Sequence, residues 1–181
     1  MNNGQSLKDV FDSGTRIELS IGVRIVLDLL AELRRLHESG TLHRNLHPGC
    51  VTFGEDGRVR LAGLELSKRK GEPASPAPGE MSGLIKVLTP EQVLGGTIDE
   101  RTDLYHCGLI LYRLVAGRPA FESQGAWSLA RKVVSEDPVE PVRVDPAIPQ
   151  DLSDLIVRSL SREPADRFAS AAEFAERLAR V

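Results

Sequence analysis

Residues 102–116 constrain the fold more than any other stretch. Leu104, Leu109, Ile110, Leu111, Leu114 and Val115 fall around the whole circumference of a helix rather than along one stripe. A helix that is apolar on nearly all sides must be enclosed by other elements, and a chain of 181 residues is long enough to supply them within one domain. Gly117 supplies the stop. A second long helix, apolar over a wide arc, is expected over residues 20–38, where Val23, Val26, Leu27, Leu30, Leu33 and Leu36 recur at helical spacing before Gly40. Shorter helices are expected over 6–11, which opens on the capping-box pattern Ser6-Leu7-Lys8-Asp9, and over 90–94, 127–134, 152–161 and 170–178. Proline punctuates 138–149.

Two β-prone runs, Cys50-Val51-Thr52-Phe53 and Arg58-Val59-Arg60-Leu61, flank Gly54-Glu55-Asp56-Gly57 and predict a hairpin. Patterning dissolves over 67–83, which reads as a mobile or disordered loop. No internal repeat is evident. The residues therefore predict a mainly α fold with one small β-hairpin, a single domain over 1–181 built around a buried central helix.

Lys and Arg number 23 against 26 Asp and Glu, interleaved along the chain, for a formal charge of −3. That balance gives no footprint for nucleic acid or an anionic membrane. No run approaches the roughly 18 apolar residues of a spanning helix, and the polar N-terminus lacks a signal-peptide layout. Cys50 and Cys107 lie far apart, which fits a reduced, cytoplasmic setting.

Before the hairpin stands Leu42-His43-Arg44-Asn45-Leu46-His47-Pro48-Gly49-Cys50, which resembles the catalytic loop HRDLKPEN of Ser/Thr protein kinases. In the family's order there follow Arg60-Leu61-Ala62-Gly63-Leu64-Glu65 for KLADFG and Thr89-Pro90-Glu91-Gln92 for APE. Thr102-Asp103-Leu104-Tyr105 with Gly108 then fits the central helix, and Glu163-Pro164-Ala165-Asp166-Arg167-Phe168 the closing motif. The bacterial branch is the most similar. The resemblance implies a kinase-like C-terminal lobe with 62–91 as the activation-segment-like loop, and no N-terminal lobe in this sequence.

The resemblance also shows what has changed. Phosphoryl transfer needs a carboxylate to orient the hydroxyl and ligands for Mg²⁺. The base position holds Asn45, an amide that cannot take a proton. His47 replaces the catalytic lysine, Cys50 the Mg²⁺-binding asparagine, and Gly63 the DFG aspartate. Gly83-Leu84 lacks the threonine of the substrate-docking loop, and Thr52 takes the apolar position under the adenine. Residues implied to hold the fold are kept. Glu91 and Arg167 match a buried ion pair, Asp103 the residue that anchors the catalytic-loop backbone, and His43 and Leu64 members of the packed spine.

The implied reading is a catalytically inactive pseudokinase-like module, not an enzyme, that binds a protein partner: a kinase, a client or itself. No cofactor is expected, and the changes argue against ATP and Mg²⁺. Two alternatives stand beside it: an atypical Ser/Thr kinase completed in trans by an upper lobe, and a truncated gene product without function. Val51, Phe53 and Leu64 are expected to form an uncovered apolar patch, with Trp127 a further interface candidate against a core role. His47 and Cys50, with His43, have H-x3-H-x2-C spacing, weak grounds for a metal against simple erosion of the loop. Ser67, Ser75 and Ser82 beside Lys68-Arg69-Lys70 could accept phosphate, against a plain solvated loop.

Overall fold

The computed structural model describes residues 4–64, 67–69 and 87–181. Its helices are α1 (Leu7–Asp12), α2 (Leu19–Glu38), α3 (Pro90–Leu94), α4 (Glu100–Ala116), α5 (Ala126–Ser135), α6 (Pro141–Val144), α7 (Gln150–Ser159) and α8 (Ala171–Leu178). The strands are β1 (Thr41–Leu42), β2 (Val51–Phe53), β3 (Val59–Leu61) and β4 (Lys68–Arg69).

Helix α4 lies at the centre, as its all-round apolar pattern requires. Twelve of its residues are buried, and α2, α6, α7 and α8 pack against it. The crossing with α7 is close because Gly108 has no side chain: a Cβ there would run into Ser159 Oγ and lie 3.0 Å from Ser159 Cβ. Asp99 caps the N-terminus, its carboxylate accepting from the Arg101 amide at 2.8 Å. Gly117 closes the C-terminus at φ +71°, a left-handed conformation that glycine adopts without a Cβ penalty. The capping box at Ser6 and Asp9 forms, and a second one joins Thr89 to Gln92.

β2 and β3 pair antiparallel in the expected hairpin. A second ladder joins Thr41–Leu42 to Lys68–Arg69, so part of the expected 67–83 loop is strand. Helix α6 likewise occupies part of the proline-punctuated 138–149, with Pro141 in its first turn where a missing amide costs nothing. Glu65, Ser75, Ser82, Gly83 and Leu84 lie outside the described residues, as does most of the 62–91 loop.

Val51 and Phe53 do not form an open patch. They are 0% and 3% exposed, because the chain before α1 runs alongside β2. The Phe53 amide donates to the Gln5 carbonyl at 3.1 Å and the Gly4 amide to the Phe53 carbonyl at 3.0 Å, while Ser6 bridges Thr52. Once those backbone groups pair, alternating side chains turn inward beneath α1 and α2. Leu64, expected both within the packed spine and in the uncovered patch, is 44% exposed and so departs from the spine expectation alone; Gly63 at φ +77° turns the chain just before it.

Candidate functional site

The loop 43–50 is held from below by one carboxylate. Asp103, in the first turn of α4, accepts from the His43 amide at 2.9 Å and the Arg44 amide at 2.7 Å. His37 Nε2, from the last turn of α2, lies 2.8 Å from the same carboxylate. Burial alone would raise the Asp103 carboxyl, but the hydrogen bond and charge of His37, with His106 and the His43 amide, hold it below its ordinary range. Two backbone donors fixed on one carboxylate allow Arg44 to sit at φ +65°, the one described non-glycine residue in the left-handed region. Gln92 Nε2 completes the turn by donating to the Arg44 carbonyl at 2.8 Å.

Around this anchor the side chains at the chemical positions are held by their own loop. His47 caps the short turn Pro48–Cys50, its Nδ1 accepting from the Gly49 amide at 3.1 Å. Burial and the neighbouring His43 push its pKa down, so the ring is neutral near pH 7. Cys50 is buried, with Sγ 3.6 Å from the Asn45 carbonyl. The Asn45 Oδ1 atom is buried without a hydrogen-bond partner. Gly63 offers no side-chain ligand atom. Among the described residues no group of three or more His, Cys, Asp or Glu could hold a metal ion, so His47 and Cys50 gain no third ligand. His43 faces inward: it is 0% exposed and its Nε2 lies 3.0 Å from the Ala62 carbonyl.

A second anchor ties α3 to the far end of the chain. Arg167 and Glu91 form a bidentate pair at 3.0 and 2.8 Å, and Thr102 Oγ1 adds a bond to Glu91 at 2.8 Å. The guanidinium also donates to the Ser161, Arg162 and Arg101 carbonyls and lies 4.6 Å from the Tyr105 ring centroid. Burial opposes the charge on Glu91, yet Arg167 outweighs it and the carboxyl stays below its ordinary range.

Sequence reasoning missed three members of this site. His37 ends an amphipathic helix with nothing nearby to mark it, and His106 is hidden in the apolar run of α4. Gln92 had a signal: Thr89-Pro90-Glu91-Gln92 fits the capping-box signature.

The protein kinase domain family matches residues 1–178. The chain belongs to the protein kinase family. It is 34% identical over 188 residues to the serine/threonine-protein kinase pkn3 of Myxococcus xanthus, covering 98% of this chain and 34% of that protein. It is 33% identical over 184 residues to PksC of Streptomyces coelicolor, covering 98% and 33%. With PknB of Mycobacterium leprae it shares 27% over 180 residues, covering 99% and 29%. The chain thus spans between a quarter and a third of the length of the kinases it matches. Within the family, the mainly helical architecture with its small hairpin corresponds to the C-terminal lobe. No helix among the described residues is long and apolar enough to cross a membrane.

Proposed function

We propose that this kinase-family chain is catalytically inactive and serves signalling by binding a protein: a kinase, a client or a second copy of itself. One observation carries the reading. On a loop that Asp103 and Gln92 hold in place, the positions that would orient the hydroxyl and bind Mg²⁺ are filled by Asn45, His47, Cys50 and Gly63. Their side chains supply no carboxylate there to orient the nucleophile, and no hard oxygen ligand at the two metal positions except the unpartnered Asn45 amide alongside them. Trp127 supports the docking side of the proposal, since it is 85% exposed on α5, and exposed tryptophans are enriched among residues that dominate interfaces. The relatives' names favour the competing reading, an atypical phosphotransferase.

A titration of the purified chain with ATP, with and without Mg²⁺, separates the two. The expected result is no heat and no rise in Tm at millimolar nucleotide. A ligand at 100 times its Kd would stabilise the native state by about 2.7 kcal/mol. Saturable Mg²⁺-dependent binding with phosphate transfer to a protein substrate would overturn the inactive reading.

A further inference from the structure

Between the α1–α2 turn, the C-terminal end of α4 and the end of α6 lies a cleft that the kinase reading leaves unused. Phe11, Ile17, Leu114, Val115 and Val144 supply its apolar wall around a cavity of about 420 Å³, open on one side. That volume falls within the roughly 300–1,000 Å³ usual for small-molecule sites, which combine apolar walls with a few convergent polar groups. The polar side chains in this lining are Thr15, Arg16, Arg113 and Asp145.

The pairing of these groups leaves one charge over. Arg16 and Asp145 form an ion pair at 2.8 Å, and Asp145 also accepts from the Ala147 amide at 3.0 Å. On α1, Lys8 lies near enough to Arg113 for the two positive charges to oppose each other, but Asp12 holds Lys8 in an ion pair of its own. Arg113 has neither a hydrogen bond nor an ion pair among the described residues. Its guanidinium lies over the Phe11 ring instead, 4.2 Å from the centroid. That contact restrains the fork while leaving its N–H edge free, so a ligand meets a donor group that is already ordered. The residue is half-buried, and its charge is less screened than that of a fully solvated arginine.

The rest of the lining decides which anion fits. Ala116 and Gly117 end α4 in the same cleft and bring the negative pole of the helix, to which Asp145 adds its carboxylate. Arg113 answers one negative charge; a second would be desolvated beside these groups without a cation to meet it. A phosphate dianion is disfavoured on that ground, and a cation is repelled by Arg113. A carboxylate is planar, carries a single charge and accepts two parallel N–H bonds from a guanidinium. The apolar wall removes the carbon body behind it from water.

We propose that this cleft binds a small monocarboxylate with a compact apolar body, its carboxylate on Arg113 and its body against Ile17, Leu114 and Val144. The site shares no residue with the loop 43–50, so it stands apart from the question of phosphate transfer.

The test uses the whole chain, with phenylacetate, its neutral isostere phenylacetamide and the dianion phenyl phosphate as probes, read by calorimetry and by the Nε–H resonances of ¹⁵N-labelled arginine. Phenylacetate binds saturably and moves the Arg113 resonance; phenylacetamide, lacking the charge, binds at least about tenfold more weakly, and phenyl phosphate more weakly than phenylacetate. Arg113→Met, which keeps the stem and removes the charge, abolishes the preference for phenylacetate over phenylacetamide, and Thr15→Trp, which fills the cleft, abolishes binding of both. Absence of saturable phenylacetate binding overturns the proposal, as does phenyl phosphate binding as tightly as phenylacetate, or phenylacetate binding unchanged by Thr15→Trp. Should Arg113→Met fail to fold, the resonance shift and Thr15→Trp still decide.

Discussion

Asp103 has no solvent to fall back on: its carboxylate is fully buried and is shared by two backbone amides and His37. Asp103→Asn puts an NH₂ against donors that need an acceptor. The expected loss is about 3 kcal/mol, measured by urea unfolding, with Arg44 no longer held at its positive φ. Arg167→Met strands Glu91 in the same way and is expected to cost about 3–5 kcal/mol, whereas replacing both partners with apolar residues of similar volume should recover much of the loss. His106 sets the first part of the acid limb. It titrates near 6.5 when unfolded but only at about 4 in the native state, so the unfolded chain takes up the proton first. Its stability contribution is complete above pH 6.5 and declines as pH falls toward 4, by roughly 3 kcal/mol in all. Half-buried His47 shifts in the same direction and adds to that window, while Asp103 and Glu91, whose carboxyls are held low, lose their contribution only at lower pH. Denaturant midpoints from pH 7 to 4 should flatten in His106→Leu; an unchanged slope would show that the ring does not titrate as described.

Among the elements, α4 is limited by its closest neighbour. Gly108 faces Ser159 on α7, and the hydroxyl that an added Cβ would meet is already committed to the Ile156 carbonyl at 2.7 Å. Gly108→Ala therefore forces α4 and α7 apart despite alanine's better helix propensity, with an expected loss of about 1–3 kcal/mol in chemical denaturation. Combining it with Ser159→Ala, which removes the obstructing hydroxyl, should recover part of that loss; no recovery would place the strain elsewhere. The element pattern was legible where periodicity was long. Helices α2 and α4 matched their apolar spacing to within two residues at each end, because burial on one or all faces leaves a repeating signature. The β1–β4 ladder was not legible, since two-residue strands 26 positions apart carry no periodicity of their own.

For the molecule as a whole, the sole tryptophan reports the proposed docking face. Trp127 is 85% exposed, so native fluorescence should resemble that of the unfolded chain in wavelength and in quenching by acrylamide. A partner seated on α5 would blue-shift and protect it, whereas Trp127→Ala should leave unfolding within about 0.5 kcal/mol of the parent. An emission already blue-shifted in the isolated chain would contradict the exposed position. The sequence by itself determined the helical class, the central helix and the hairpin, because these depend on residue type and local spacing. Only the tertiary structure decided that Val51 and Phe53 are covered while Leu64 is not, that His37 shares the Asp103 carboxylate, and that His106 is fully buried. Burial and hydrogen-bond satisfaction depend on which distant segments meet, as when Gln5 reaches Phe53 or α2 delivers His37 to α4, and no local pattern of residues records that meeting.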